Sequence, residues 1–227
     1  MKKSTVSLLL LIGISLLLAL SSGKANAYAI NNLHATDGSG GYISPYSVGT
    51  TETFDDSSLV WTWLGDYKVV TGSTGINSAP AANGVKESSR YVSVPANSSS
   101  GSATITLAPG GSYYTYFGLW WGSMDSYNTI TFYKDGVKTQ SFTGSDVIGY
   151  LYGSTQTANG NQYSPYTNMY VNFLGLQEFN SVQMTSTSYA FEADNLSVGN
   201  PVPIPTAYWL LGSGLIGLIG IRRRINN

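Results

Sequence analysis

Thr129-Ile130-Thr131-Phe132-Tyr133, then Lys134-Asp135-Gly136, then Val137-Lys138-Thr139-Gln140-Ser141-Phe142 is the stretch on which the fold depends. Two runs rich in β-branched and aromatic residues flank Asp135–Gly136, and those two residues tolerate the positive φ that a tight β-turn requires, so the segment reads as an antiparallel hairpin. Outward from it the same grammar recurs. Short apolar or alternating runs at Leu59–Leu64, Tyr67–Thr71, Arg90–Val94, Ala103–Leu107, Tyr113–Trp121, Tyr170–Leu174, Ser181–Thr185 and Ala190–Val198 are separated by Gly, Ser, Asn and Pro clusters. Between the two ends of the chain nothing repeats at the helical period. This spacing predicts an all-β domain, a two-sheet β-sandwich of jelly-roll or immunoglobulin-like kind. Residues 71–86 and 154–167, dominated by small and polar residues, read as surface loops, and residues 96–101 as a Ser-rich turn.

The segment Tyr113-Tyr114-Thr115-Tyr116-Phe117-Gly118-Leu119-Trp120-Trp121 is apolar on both strand faces. Strict alternation sends Tyr113, Phe117, Leu119 and Trp121 one way and Tyr114, Tyr116 and Trp120 the other. One set fills a core. The second is either covered by a loop or presents an aromatic surface on which a sugar ring stacks, which makes Tyr114, Tyr116 and Trp120 candidate glycan-binding residues.

The two ends read as addresses. Lys2 and Lys3 precede an apolar run from Val6 to Leu20, and Ala25-Asn26-Ala27 supplies a small-x-small cleavage site before Tyr28. Residues 1–27 therefore read as a secretory signal peptide, residues 28–199 as an extracytoplasmic domain and residues 200–227 as a C-terminal membrane segment. From Pro205 to Ile221 there is no charge; as a helix this run would be roughly 25 Å long, close to the thickness of a hydrocarbon core. Trp209 sits at the interfacial position and Arg222, Arg223 and Arg224 close the other end, which orients the C-terminus to the cytoplasm. A plain anchor would look much the same, and Ser213 and Gly217 are spaced for helix association.

The order Val202-Pro203-Ile204-Pro205, a Gly-rich apolar run with Trp209, and the Arg222–Arg224 cluster resembles the C-terminal sorting signals called PEP-CTERM. Ile204 stands where the eponymous form has Glu, so the match is to the VPLPA-type variant. The resemblance implies an exosortase as processing partner, passage through the inner membrane, attachment by the C-terminal helix, and then a place at the cell surface or in a biofilm and exopolysaccharide matrix. Trp121-Gly122-Ser123-Met124-Asp125-Ser126-Tyr127-Asn128 is also similar to the WGS-x-D-x-YN signature of a family of exosortase-dependent bacterial surface proteins. Read for its chemistry alone, the same octapeptide has Asp125 and Asn128 placed to close turns between consecutive strands.

Composition narrows the chemistry further. There is no cysteine, and the single histidine, His34, lies near the start of the exported part, which removes thiol nucleophiles, ordinary zinc sites and a His-based triad. Within residues 28–199 five basic residues face all twelve acidic ones, a formal charge near −7, so nucleic acid is not an expected partner. Carboxylates are the remaining reactive groups. Glu52, Asp55 and Asp56 open the domain and Glu192 and Asp194 close it; two of them could in principle serve a glycan hydrolase. If the first and last strands pair, Glu52, Asp55, Glu192 and Asp194 are candidate calcium ligands at one sheet edge. The expectation from sequence is a non-enzymatic exported surface protein without a required cofactor; the alternative is a carbohydrate-binding module, here one that would bind exopolysaccharide through exposed aromatic residues.

Overall fold

The computed structural model describes residues 28–46, 49–107 and 111–201. The segments read from sequence as a signal peptide, residues 1–27, and as a sorting motif, Val202 to Arg224, lie outside the described residues. No helix among the described residues is long and apolar enough to cross a membrane.

In chain order the first strands are β1 (Ala29–Asn31), β2 (Ala35–Thr36), β3 (Tyr42–Ile43), β4 (Thr50–Glu52), β5 (Thr62–Gly65), β6 (Lys68–Thr71), β7 (Ala81–Ala82) and β8 (Val85–Lys86). They are followed by β9 (Arg90–Val94), β10 (Gly101–Thr106), β11 (Tyr116–Gly122), β12 (Asn128–Lys134) and β13 (Val137–Thr143). Helix α1 (Gly144–Tyr152) precedes β14 (Met169–Leu174), β15 (Ser181–Ser186) and β16 (Phe191–Gly199). A seven-stranded sheet has the order β1-β14-β11-β16-β9-β6, with β4 also on β16, and a five-stranded sheet has the order β13-β12-β15-β10-β5. Every pairing in both is antiparallel. Side chains from both sheets form one buried cluster, so the architecture is a two-sheet β-sandwich.

All ten strands expected from sequence are present. The β12–β13 hairpin turns at Asp135 and Gly136, with φ of 51° and 79°, and pairs Lys134 with Val137. Between the sheets, Phe132 packs edge-on against Phe117, Phe173 and Phe179, and Trp121 stacks on Phe191 at 4.4 Å. Helix α1 was not expected, because Gly144 and Gly149 lower helix propensity. Its cause is nonetheless local: the Thr143 hydroxyl accepts from Asp146 N and the Asp146 carboxylate accepts from Thr143 N, a capping box that satisfies otherwise orphaned donors. Val147 and Ile148 then bury against the core.

The outer face of the seven-stranded sheet is covered too. Residues 33–46 and 72–89 lie across it as straps, so residues 71–86 do not form the solvent loop their composition suggests. Asn77 Nδ2 donates to Tyr91 Oη (2.6 Å), Tyr91 Oη donates to Gly72 O (2.6 Å), and Ala79 and Ala81 are buried. On the other strap, Tyr42 packs on Trp120 at 5.2 Å and Tyr46 on Tyr116 at 5.5 Å. A β-bulge in β16 allows this double use. Trp120 pairs with Asp194 but Gly118 pairs with Ser197, and Asn195 takes a positive φ of 50° at the extra residue. Phe191 and Ala193 therefore face the core, then Leu196 and Val198 do so after the change of parity. Glu192, Asp194 and Ser197 face the straps.

Candidate functional site

Two concavities open on that strap-covered face, the first lined in part by Glu192 of β16 and the second by Trp120 of β11. The first gathers the Trp121–Asn128 octapeptide. Ser123, with a φ of 34°, leaves β11, donates from Oγ to Glu192 Oε2 (2.8 Å), and donates its amide to Asn168 Oδ1 (2.9 Å). Asn128 closes the turn: its Oδ1 accepts from Asp125 N (2.8 Å) and its Nδ2 donates to Ser186 Oγ (2.9 Å). The turn reading of Asn128 is thus what the chain uses it for. What remains is a polar pocket of about 230 Å³ lined by Ser123, Asp125, Tyr127, Gly160, Gln162 and Glu192, among others. Glu192 is only 2% exposed, and burial pushes its carboxyl up to about 8 although Ser78 N and Ser123 Oγ both donate to it. Burial also raises the half-buried Asp125 carboxyl above the ordinary aspartate value.

The second is a wider groove of about 600 Å³ between the two straps, lined in part by Ser39, Asp55, Asn83, Lys86 and Glu87, with Trp120 at its floor. There the half-buried Glu87 and the buried Asp194 lie side by side, within hydrogen-bonding reach of one another. Glu87 Oε1, Asp194 Oδ1 and Trp120 Nε1 are buried without a hydrogen-bond partner. A proton held between the two carboxyls would give those carboxyl oxygens a donor; Trp120 Nε1 is unaffected by it. Burial, and for Asp194 the neighbouring Glu87 charge, raises both well above ordinary carboxyl values.

The residues expected from sequence are distributed differently. Tyr116 and Trp120 share the strap-facing side of β11, but they are 0% and 1% exposed, and Tyr116 Oη is held by Ser44 Oγ (2.7 Å) and Asn172 Oδ1 (2.8 Å). Tyr114 is not their neighbour on that face. Regular pairing begins only at Tyr116, and Tyr114 instead bridges Phe179 and packs at the edge of the sandwich core. An exposed aromatic row is therefore absent at these three positions, because the straps cover the strand.

The expected pairing of the first acidic segment with the last strand is present, β4 lying against β16 with Glu52 opposite Leu196. Leu196 belongs to the core, so Glu52 is on the opposite side of the sheet from Glu192 and Asp194. Its carboxylate accepts from Phe54 N (3.0 Å) and Val60 N (2.6 Å), while Asp55 accepts from Arg90 N (3.1 Å). Glu52, Asp55, Glu192 and Asp194 thus do not meet at one point, and among the described residues no three His, Asp or Glu side chains are grouped to hold a metal ion. Asp56 and His34 are exposed. The acid that sequence reasoning missed is Glu87. A signal for it existed in Asn83–Gly84, a turn dipeptide whose φ values of 51° and 79° close the β7–β8 hairpin and carry Glu87 back over β16.

No protein-family model matches the chain, and no curated protein matches it. A solved structure described as CpGH89CBM32-6 produced by Clostridium perfringens is similar over 60% of this chain and 94% of its own, with 12% identity and a TM-score of 0.29. A likeness that slight carries no argument about what this chain does.

Proposed function

We propose that the chain is an exported, non-enzymatic surface or extracellular-matrix protein, carried across the inner membrane by residues 1–27 and sorted by an exosortase through residues 200–227. The observation that supports this reading is in the sequence: an apolar run and a small-x-small site precede Tyr28, and Val202-Pro203-Ile204-Pro205, an uncharged run with Trp209 and Arg222–Arg224 follow Gly199. Lack of catalysis fits the acids on the strap-covered face. Both Glu192 oxygens are engaged, and Glu87 and Asp194 touch each other, whereas glycosidase carboxyls stand about 5 Å or more apart with the sugar between them. The reading includes no cofactor.

The test is fractionation of cells that have and lack the sorting enzyme. The mature protein is expected to begin at Tyr28 and to accumulate unprocessed in the membrane when the enzyme is missing. Pro203→Ala with Pro205→Ala should produce the same trapped form. If that double variant matures and localises like the parent, the C-terminal segment is only an anchor.

A second reading, carbohydrate binding, is favoured by one observation: the octapeptide Trp121–Asn128 borders an open polar pocket with tyrosines at its edge. On this reading exopolysaccharide is the partner. A glycan array probed with the full-length chain tests it, and silence across the array removes it.

A further inference from the structure

The pocket beneath the octapeptide has three properties that its role in the fold does not use. First, the Asp125 carboxyl is left without a donor. Tyr127 Oη lies beside it, but its proton goes to Tyr189 O at 2.7 Å. Second, the backbone at Gly160, whose φ is 64°, approaches that carboxyl so closely that a Cβ would run into it, so the carboxyl meets the pocket wall through a residue without a side chain. Third, Gln162 is exposed on the opposite side, and Lys86 Nζ donates to its Oε1 (2.8 Å), which leaves the Gln162 amide N–H groups free to donate. An acceptor and a donor thus face a cavity of about 230 Å³, with Tyr127 and Tyr189 among the residues that line it.

We infer that this pocket is a saccharide subsite for a non-acidic sugar unit, with Asp125 accepting from adjacent ring hydroxyls, Gln162 donating to a ring or hydroxyl oxygen, and the tyrosine rings meeting the C–H face. The inference rests on the carbohydrate-binding reading above and moves its site from the buried strand to the octapeptide. A carboxylate takes two neighbouring hydroxyls at once, the arrangement that vicinal diols present. Acidic sugars are excluded by charge. A uronate would bring its own carboxylate to Asp125 in a domain where five basic residues face twelve acidic ones. The burial that raises Asp125 also strengthens its hydrogen bonds to a bound hydroxyl.

The experiment is calorimetric titration of the full-length chain in detergent with neutral glucose-, galactose- and mannose-based tetrasaccharides and with a uronate tetrasaccharide. At least one neutral probe should bind and the uronate should not. Asp125→Asn keeps the shape but replaces half of the acceptor, and Gln162→Ala alters an exposed side chain; each should weaken binding on the order of tenfold, with an unchanged melting temperature. Binding of a neutral probe that survives both substitutions would overturn this site while leaving the carbohydrate reading intact. Tighter binding of the uronate would overturn the assignment of ligand class. No binding of any probe would overturn both site and reading.

Discussion

Toward the second sheet, β11 presents Phe117, Leu119 and Trp121; toward the straps it presents Tyr116, Gly118 and Trp120. Both faces are buried, yet they are built from different materials. The inner face belongs to a cluster of thirty buried hydrophobic residues drawn from both sheets. The outer face holds a cluster of three, Tyr42, Trp120 and Tyr170, set among Glu192, Asp194, Asn172, Asn195 and Ser197. Apolar burial holds the first together. The second depends on hydrogen bonds such as Tyr170 Oη to Asn195 O (2.9 Å) and Asn195 Nδ2 to Tyr42 O (3.1 Å), and buried polar layers of that kind are costly wherever a partner is missing.

The largest expected difference between the faces lies in two adjacent tryptophans. Trp121→Ala removes the ring stacked on Phe191 at the centre of the sandwich and should cost about 3–5 kcal/mol, a large part of the stability of an ordinary domain. Trp120→Ala should cost measurably less, because fewer apolar groups surround it; the Nε1 of neither ring has a hydrogen-bond partner, so that atom does not separate the two. Urea denaturation of the parent and both variants ranks them. A Trp120→Ala variant less stable than Trp121→Ala would mean that the straps, not the sandwich, hold the domain together.

The carboxyls of the outer face predict an unusual pH response. In the fold, burial pushes the Glu192 carboxyl up to about 8, whereas an unfolded glutamate releases its proton near the ordinary value of 4.5. Between those limits the native state binds more protons than the unfolded chain, so stability falls as pH rises. Glu87 and Asp194, both raised, act with the same sign. The loss should be on the order of a few kcal/mol across that interval, opposite in direction to what a salt-bridged carboxylate produces. Denaturation midpoints measured from mildly acidic to mildly alkaline pH should decline, and Glu192→Gln should flatten the decline because an amide has no proton to release. A rise over the same range would show that these acids are ionised and paired in the folded protein.

How much of this was legible beforehand follows from the same contrast. Alternation and turn residues reveal the inner face, since Ile130 and Phe132, or Val182 and Met184, sit at period two and meet one cavity. The outer face was hidden because its cover is made of residues that read as loop, such as Asn77-Ser78-Ala79-Pro80-Ala81, and because the bulge at Asn195 changes the parity of β16 within a run that looks regular. The octapeptide was visible as a motif, but its pocket needed Gly160 and Gln162, which lie far along the chain in a segment without periodicity.

Two glycines sharpen the comparison at smaller magnitude, one on each kind of surface. Gly118 lies on the outer face of β11, where a Cβ would come within 2.8 Å of the Tyr170 ring and also strike the Tyr116 hydroxyl. Both rings are fully buried and hydrogen-bonded, so they cannot turn aside, and Gly118→Ala should cost about 1–3 kcal/mol by overpacking.

Gly136, in the β12–β13 turn, has nothing within 4 Å of the place a Cβ would occupy. Its constraint is conformational: at a φ of 79° an L-residue is strained whatever the space around it. Gly136→Ala should therefore cost about 1 kcal/mol, from the backbone alone. The two causes can be told apart by a second substitution. Tyr170→Phe in the Gly118→Ala background removes one of the crowding hydroxyls and should recover part of the loss relative to Tyr170→Phe alone. No change at Tyr170 should affect Gly136→Ala, whose turn is on the other sheet. Additive losses for the Gly118 and Tyr170 pair in a double-mutant cycle would show that the outer layer has room after all, and that its small aromatic cluster is not close-packed.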